Sequence, residues 1–305
     1  MKDLFYRCLM ALARTFGDWI FLLIAWHVAT GYFLLCPRRV AVSVRFYRRL
    51  FPERPRLHAL LRTWRQYHSF VHVFLDRFRL AEDGGLPFTC EGWEHIAAAA
   101  HGGRGGIILM SHVGGWEIAA QLLMRMGEGD PRIRLLLYLG EKRREQIEGR
   151  QKRTVKANGI RVVSAPEEAA SAIDILEGLD FLRGGGLISL TGDRLWTQGQ
   201  RFVTVRFAGG EARIPEVPYI LASISGAPLL IFFGHRTGRG RYHVVAKPPV
   251  FVAAASRAER RRAVETAAQT YADLLAETAR AHPDEWYHFE PFLRDAGEGK
   301  EGRGP

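Results

Sequence analysis

From Gly84-Gly85 onward the chain alternates short apolar runs with amphipathic stretches, and that alternation limits what it can fold into. Residues 107–110, 133–139, 160–163, 187–190, 229–233 and 242–247 read as strands. The stretches between them carry helix start and stop signals. Ser164-Ala-Pro-Glu167 reads as a capping box with proline at a tolerated early position, and Gly184 closes the helix it opens. Ser256-Arg-Ala-Glu259 repeats the device for a helix reaching about Ala281. Strands that alternate with helices pair largely in parallel and are covered on both faces. The expected fold is therefore α/β, with a largely parallel central sheet covered by helices.

The amino-terminal part is different in kind. Between Asp18 and Arg38 lie nineteen residues without a formal charge, counting His27 as neutral, with Trp19, Trp26 and Tyr32 among them. That length suits a membrane-anchor helix that either spans a bilayer or lies in its interface. Arg38, Arg39, Arg45, Arg48 and Arg49 follow, and the positive-inside tendency places the downstream chain on the cytoplasmic face of a bacterial inner membrane. Residues 56–78 mix basic and aromatic side chains at helical spacing. His68, His72 and Asp76 share a face there, but they lack the His-Glu-x-x-His pattern and a fourth ligand, so no metal is expected. The expected division is an anchor at 1–37, a basic amphipathic segment at 38–85, a catalytic domain at 86–294 and a loose tail at 295–305.

A formal charge of +11 would attract anionic lipid, an acidic carrier protein or nucleic acid. Three cysteines at unrelated spacings make neither a disulfide framework nor a zinc site. No Walker A sequence and no Gly-x-Ser-x-Gly elbow occurs, and Gly102-Gly-Arg-Gly-Gly106 precedes a strand where a dinucleotide loop would follow one.

The chemistry concentrates in His112-Val-Gly-Gly-Trp-Glu117, which follows one predicted strand and opens a helix. If Gly114-Gly115 turn the chain, Glu117 in the first helical turn can hold one ring nitrogen of His112 while the other acts as a general base. Asp193 and Arg194, in Gly192-Asp-Arg194, lie just past a second strand. Ligands of open α/β sheets gather at such carboxyl ends, and a guanidinium there can hold a phosphate or an oxyanion. The basic stretch 141–156, which includes Arg150, suits phosphate head groups or an acidic acyl carrier.

His-x4-Glu after an apolar strand resembles the glycerolipid-type acyltransferases. The longer string Ser111-His-Val-Gly-Gly-Trp-Glu117 resembles the version found in the bacterial lipid A late acyltransferases, the lauroyl and myristoyl transferase family. Gly192-Asp-Arg194, Ile214-Pro-Glu-Val-Pro-Tyr219 through Gly226-Ala-Pro228, and His282-Pro-Asp-Glu-Trp-Tyr287 are similar to that family in the same order. The similarity runs from the first apolar segment to about Phe292.

The resemblance implies a glycerolipid-acyltransferase-like fold and a membrane-associated O-acyltransferase. The acyl chain would pass from an acyl carrier protein or coenzyme A thioester to a hydroxyl of a lipid A precursor or related lipid. His112 and Glu117 would be catalytic, and Gly114, Gly115, Trp116, Asp193, Arg194 and Arg150 would contact substrate or oxyanion, without metal or bound cofactor. One departure is visible: acidic and aromatic residues replace the basic cluster that often follows the family's aromatic pair. Other acceptors, a lysophospholipid or an aryl polyene-type lipid, therefore stay open. A basic peripheral membrane protein without chemistry accounts equally for charge and anchor but leaves the His112–Glu117 spacing to chance. Nucleic-acid binding accounts for the charge alone, and no recognised module supports it.

Overall fold

Every residue of strand β2 (Gly106–Met110) is buried, which is possible only in the middle of a sheet covered on both faces. A computed structural model of the chain, describing residues 15, 17–82, 85–140, 161–165, 172–196 and 199–294, has this arrangement. The other strands are β1 (Phe88–Glu91), β3 (Leu135–Gly140), β4 (Arg161–Ala165), β5 (Leu187–Thr191), β6 (Phe202–Phe207), β7 (Gly210–Pro215), β8 (Leu229–Gly238) and β9 (Arg241–Ala246). Seven of them form one sheet in the order β1-β9-β8-β2-β5-β3-β4. From β8 to β4 all neighbours run parallel, while β9 pairs antiparallel with β8 and carries β1 beside it.

Alternation along β2 sends Ile107 and Leu109 into one core and Ile108 and Met110 into the other. The first core is closed by α7 (Val217–Ser225) and α8 (Arg257–Ala281), through Tyr219, Ala268, Tyr271 and Leu275. The second is closed by α4 (Trp93–His101) and α5 (Trp116–Met126), through Ile96, Ile118 and Leu122. A further helix beside the sheet, α6, spans Ala172–Arg183. Its end before Gly184 agrees with the sequence, but its expected start does not: Ser164 lies inside β4, paired with Leu139, and residues 166–171 are outside the described residues. At α8 the expected cap is present. Ser256 Oγ accepts from Glu259 N–H at 3.2 Å, and the Glu259 carboxylate accepts from Ala255 N–H at 2.9 Å.

The β6–β7 hairpin was not visible in the sequence. Its two-residue turn, Ala208-Gly209, has φ of 47° and 73°, the mirror-image turn geometry that suits a twisted hairpin. An alanine at such a position is uncommon, and it hides the turn from a search for Asn-Gly or Asp-Gly.

Among the described residues three helices precede the sheet. Helix α1 (Asp18–Leu35) packs along α3 (Arg56–Glu82), with Phe21 and Ala29 against Val71 and Leu75. Trp19, Leu23, Trp26, Leu34 and Leu35 remain exposed. By length and hydropathy α1 is able to cross a membrane. Helix α2 (Pro37–Leu50) turns Phe46 and Tyr47 inward and leaves Arg38, Arg39, Arg45, Arg48 and Arg49 outside. Asp76 of α3, fully buried, is one tie between these helices and the sheet. Its carboxylate accepts from Arg236 Nε at 2.5 Å and from Tyr242 Oη at 3.0 Å. The His68–His72–Asp76 face is thus divided among separate partners: His68 bonds the Trp64 carbonyl and Thr30 Oγ1.

Candidate active site

Strands β2 and β5 are neighbours in parallel register, Met110 beside Thr191, so the residues just beyond them leave the sheet side by side. Gly192 N–H donates to the Met110 carbonyl at 2.8 Å. A side chain at Gly192 would collide with Tyr271 Cζ, 2.5 Å from an ideal Cβ. One step on, Asp193 meets His112. Nδ1–H of the imidazole donates to Asp193 Oδ1 at 2.8 Å, and the His112 backbone N–H donates to Oδ2, also at 2.8 Å. Trp286 Nε1–H reaches the same Oδ2 at 2.9 Å.

Asp193 is almost wholly buried. Burial alone would raise its pKa, but the His112 imidazole and the hydrogen bonds from His112 and Trp286 hold it well below the usual carboxylate range. An ionised carboxylate facing Nδ1 requires the ring proton there, which leaves Nε2 to act as a base. Among the described residues Nε2 has no hydrogen-bonding partner.

This corrects the expected pairing of His112 with Glu117. Glu117 lies in the first turn of α5, as anticipated, but its Oε2 contacts Arg77 Nε of α3 at 2.5 Å. The contact is ionic rather than an aligned hydrogen bond, since Arg77 Nε–H finds no acceptor along its axis. Burial raises the Glu117 pKa, against the opposing pull of Arg77 and then His112. Glu117 therefore holds neither ring nitrogen of His112 in this structure.

The glycine turn exists, with a different use for its amides. Gly114 has φ of +65°, and an added Cβ would lie 1.8 Å from the Gly234 carbonyl oxygen. Its N–H was expected near an oxyanion but donates to the Glu285 carbonyl at 2.8 Å. Gly114→Ala combines left-handed strain with a backbone collision and is expected to cost more than about 2 kcal/mol. A melting temperature within a degree or two of wild type would refute that. Gly115 precedes α5, whose amino end no side chain caps. Trp116 is half-buried against the second core.

Arg194 is near the imidazole but not free. Its Nη2 and Nε donate to Glu290 at 2.7 and 3.3 Å, and its guanidinium stacks over Trp196, 4.9 Å from the ring centroid. The Trp196 ring lies 6.4 Å from that of His112. Arg150 and the rest of the basic stretch 141–156, apart from no more than their sequence, lie outside the described residues.

Residues 282–287 were singled out in the sequence without a role, and with His288 and Glu290 just beyond them they supply most of the site's support. Tyr287 N–H donates to the His112 carbonyl at 2.8 Å, which with the Gly114–Glu285 bond straps the segment across the His112–Gly115 turn. His288 stacks on Trp286 and stands at 89° to the His112 ring, 5.8 Å between centroids. Burial, with smaller help from His112 and Arg194 and against the pull of Asp193, brings the His288 pKa down to about 4, so it is neutral at physiological pH. Glu285 Oε2 accepts from Arg236 N–H at 2.8 Å, yet burial raises its pKa to about 7 from an ordinary 4.5. An acid raised on folding binds more protons in the native state, so its contribution weakens as pH rises from about 4.5 to 7. Glu285→Gln should therefore match wild-type stability below that window and exceed it above, as thermal melts across pH would register. A gap that fails to widen with pH would contradict this.

No curated protein matches the chain. The family model for bacterial lipid A biosynthesis acyltransferases matches residues 76–295, from the buried Asp76 to the end of the strap, and so takes in His112, Glu117, Asp193 and Arg194. The chain belongs to the bacterial lipid A biosynthesis acyltransferase family and is an acyltransferase.

Proposed function

We propose that this lipid acyltransferase moves a fatty acyl chain from an acyl carrier protein or coenzyme A thioester to a hydroxyl of a lipid A precursor or related lipid, with His112 as the general base. The observation that carries the reading is His112 Nδ1–H bonded to a buried, ionised Asp193, with Nε2 at the carboxyl edge of the sheet and without a hydrogen-bonding partner among the described residues. Nε2 takes the proton of the acceptor hydroxyl as its oxygen attacks the thioester carbonyl. The new C–O bond forms a tetrahedral oxyanion. Its collapse breaks the C–S bond, and the imidazolium returns the proton to the departing thiolate. Asp193 stabilises the imidazolium between these steps, as the carboxylate of a catalytic triad does.

With Gly114 N–H turned to Glu285, the backbone donors suited to the oxyanion are the uncapped amides at the amino end of α5, from Gly115 onward. The exposed face of α1, with Trp19, Leu23, Trp26 and Leu34, would sit in the bacterial inner membrane, and the arginines of α2 would meet anionic head groups on its cytoplasmic side. Arg150 and its basic neighbours would help to bring in the donor carrier.

Transfer of the acyl group from thioester to hydroxyl fixes a stoichiometry. Free thiol and acylated lipid should appear in equal amounts when the full chain is given an acyl thioester and a hydroxyl-bearing lipid. Thiol release without acylated lipid, measured by mass spectrometry, would contradict transfer.

A further inference from the structure

We propose that α1 does not cross the membrane but lies along it, and that α1 and the first turns of α3 form one docking surface that enters a single leaflet of anionic lipid. The inference rests on the membrane placement proposed above and is independent of the acyl-transfer chemistry.

Helix α1 runs antiparallel to α3. Asp18 at its start pairs with Arg79, Thr30 Oγ1 donates to His68 Nε2 at 3.0 Å, and the Phe33 ring lies 5.1 Å from that of Trp64. Its 18 residues make a rod of about 27 Å, close to the hydrocarbon thickness of about 30 Å, so length alone does not decide its orientation. Its neighbour does. Over the same stretch α3 is tied to the strap and the sheet. Arg62 Nη1 donates to Asp284 at 3.2 Å, Gln66 Nε2 to the Trp286 carbonyl at 2.5 Å, and Ser69 Oγ to the Asp284 carbonyl, while Asp76 takes Arg236 Nε at 2.5 Å. An α1 standing upright in a bilayer would draw α3, with these charges, and the adjoining sheet into hydrocarbon, where charges and unpaired backbone are costly. Laid flat, α1 immerses its outer face and leaves the sheet in water.

The face of α3 that α1 covers extends beyond it. Trp64, His68, Val71 and Leu75 meet α1 at alternating spacings of four and three residues. The same stripe continues toward the start of α3 as Leu57, Leu60 and Leu61, at and beyond the end of α1, and these leucines stay 42–63% exposed. Leu34 and Leu35 of α1 are exposed at the same end. Arg38, Arg39, Arg54, Arg56 and Arg65, all exposed, border it and complement anionic head groups. An apolar surface with a basic border fits the boundary between head groups and acyl chains.

The full chain is expressed in bacterial cells with one epitope tag at its amino end and another at its carboxyl end, and protease is added to spheroplasts and to inverted inner-membrane vesicles. Both tags should be lost from inverted vesicles and both protected in spheroplasts. Loss of the amino-terminal tag from spheroplasts, with the carboxyl-terminal tag intact, would show that α1 spans and would overturn the proposal. Leu57→Ser combined with Leu61→Ser, at exposed positions, should lower partition onto vesicles of phosphatidylglycerol and phosphatidylethanolamine by about tenfold or more at an unchanged melting temperature. A spanning α1 would hold the protein whatever stands at 57 and 61, so unchanged partition would overturn the part given to α3. Recovery of the wild-type chain in the soluble fraction of the cells would overturn the membrane placement itself and leave acyl transfer standing.

Discussion

Asparagine in place of Asp193 should lower kcat/KM for acyl transfer by about 10³–10⁴-fold while the protein stays folded. The side chain is nearly isosteric, and its oxygen can still accept from the His112 backbone N–H and Trp286 Nε1–H, both of which converge on Oδ2. Its amide nitrogen then occupies the place of Oδ1 and presents a donor to Nδ1. The imidazole must answer with a lone pair there, which moves its proton to Nε2 and disables the base. An imidazolium formed during transfer would also lose the carboxylate that stabilises it. Kinetics beside a thermal melt separates this from unfolding, and a loss below about tenfold in a folded variant would remove Asp193 from the mechanism.

Alanine at His112 should be comparably severe, about 10²–10⁴-fold, because no other group takes over Nε2. The nearest candidate, His288, stands 5.8 Å away ring to ring, and its low pKa makes it a weak base. Removal of the ring also takes one hydrogen-bond donor from the buried Asp193 carboxylate, so some stability should be lost with activity. His112→Gln, which can donate an amide N–H to Oδ1, should recover much of the stability and none of the rate. Recovery of transfer in that variant would show that His112 shapes the turn instead of moving a proton.

Much of this was legible in the chain. Apolar runs with β–α alternation marked β2, β3, β4, β5, β8 and β9, and the parallel sheet follows from them. Both His112 and Gly192-Asp-Arg194 were readable as residues at carboxyl ends of strands. Their partnership was not. Glu117 lies five residues from His112 and across a glycine turn, so a local reading pairs them. Asp193 lies 81 residues away and is brought in only because β5 is the strand that pairs with β2. Sheet order is a tertiary fact that periodicity does not carry. The same limit hid Arg77, which arrives from α3 to take Glu117, and Glu290, which returns from the strap to take Arg194. The density of polar and aromatic residues at 282–292, just where apolar periodicity ends, was the one local sign that this segment serves a site.

The carboxylate that fixes the imidazole can be identified directly by nitrogen-15 NMR of histidine-labelled protein, with His112→Ala used to assign the His112 signals. In wild type near neutral pH, Nδ1 should carry the proton, in a strong hydrogen bond, and Nε2 should resonate as an unprotonated nitrogen. Asp193→Asn should abolish that pattern and shift the proton to Nε2, while Glu117→Gln should leave the tautomer as it is. The opposite pair of results, an unchanged tautomer in Asp193→Asn and a switched one in Glu117→Gln, would return the orienting role to Glu117 and contradict the site described above.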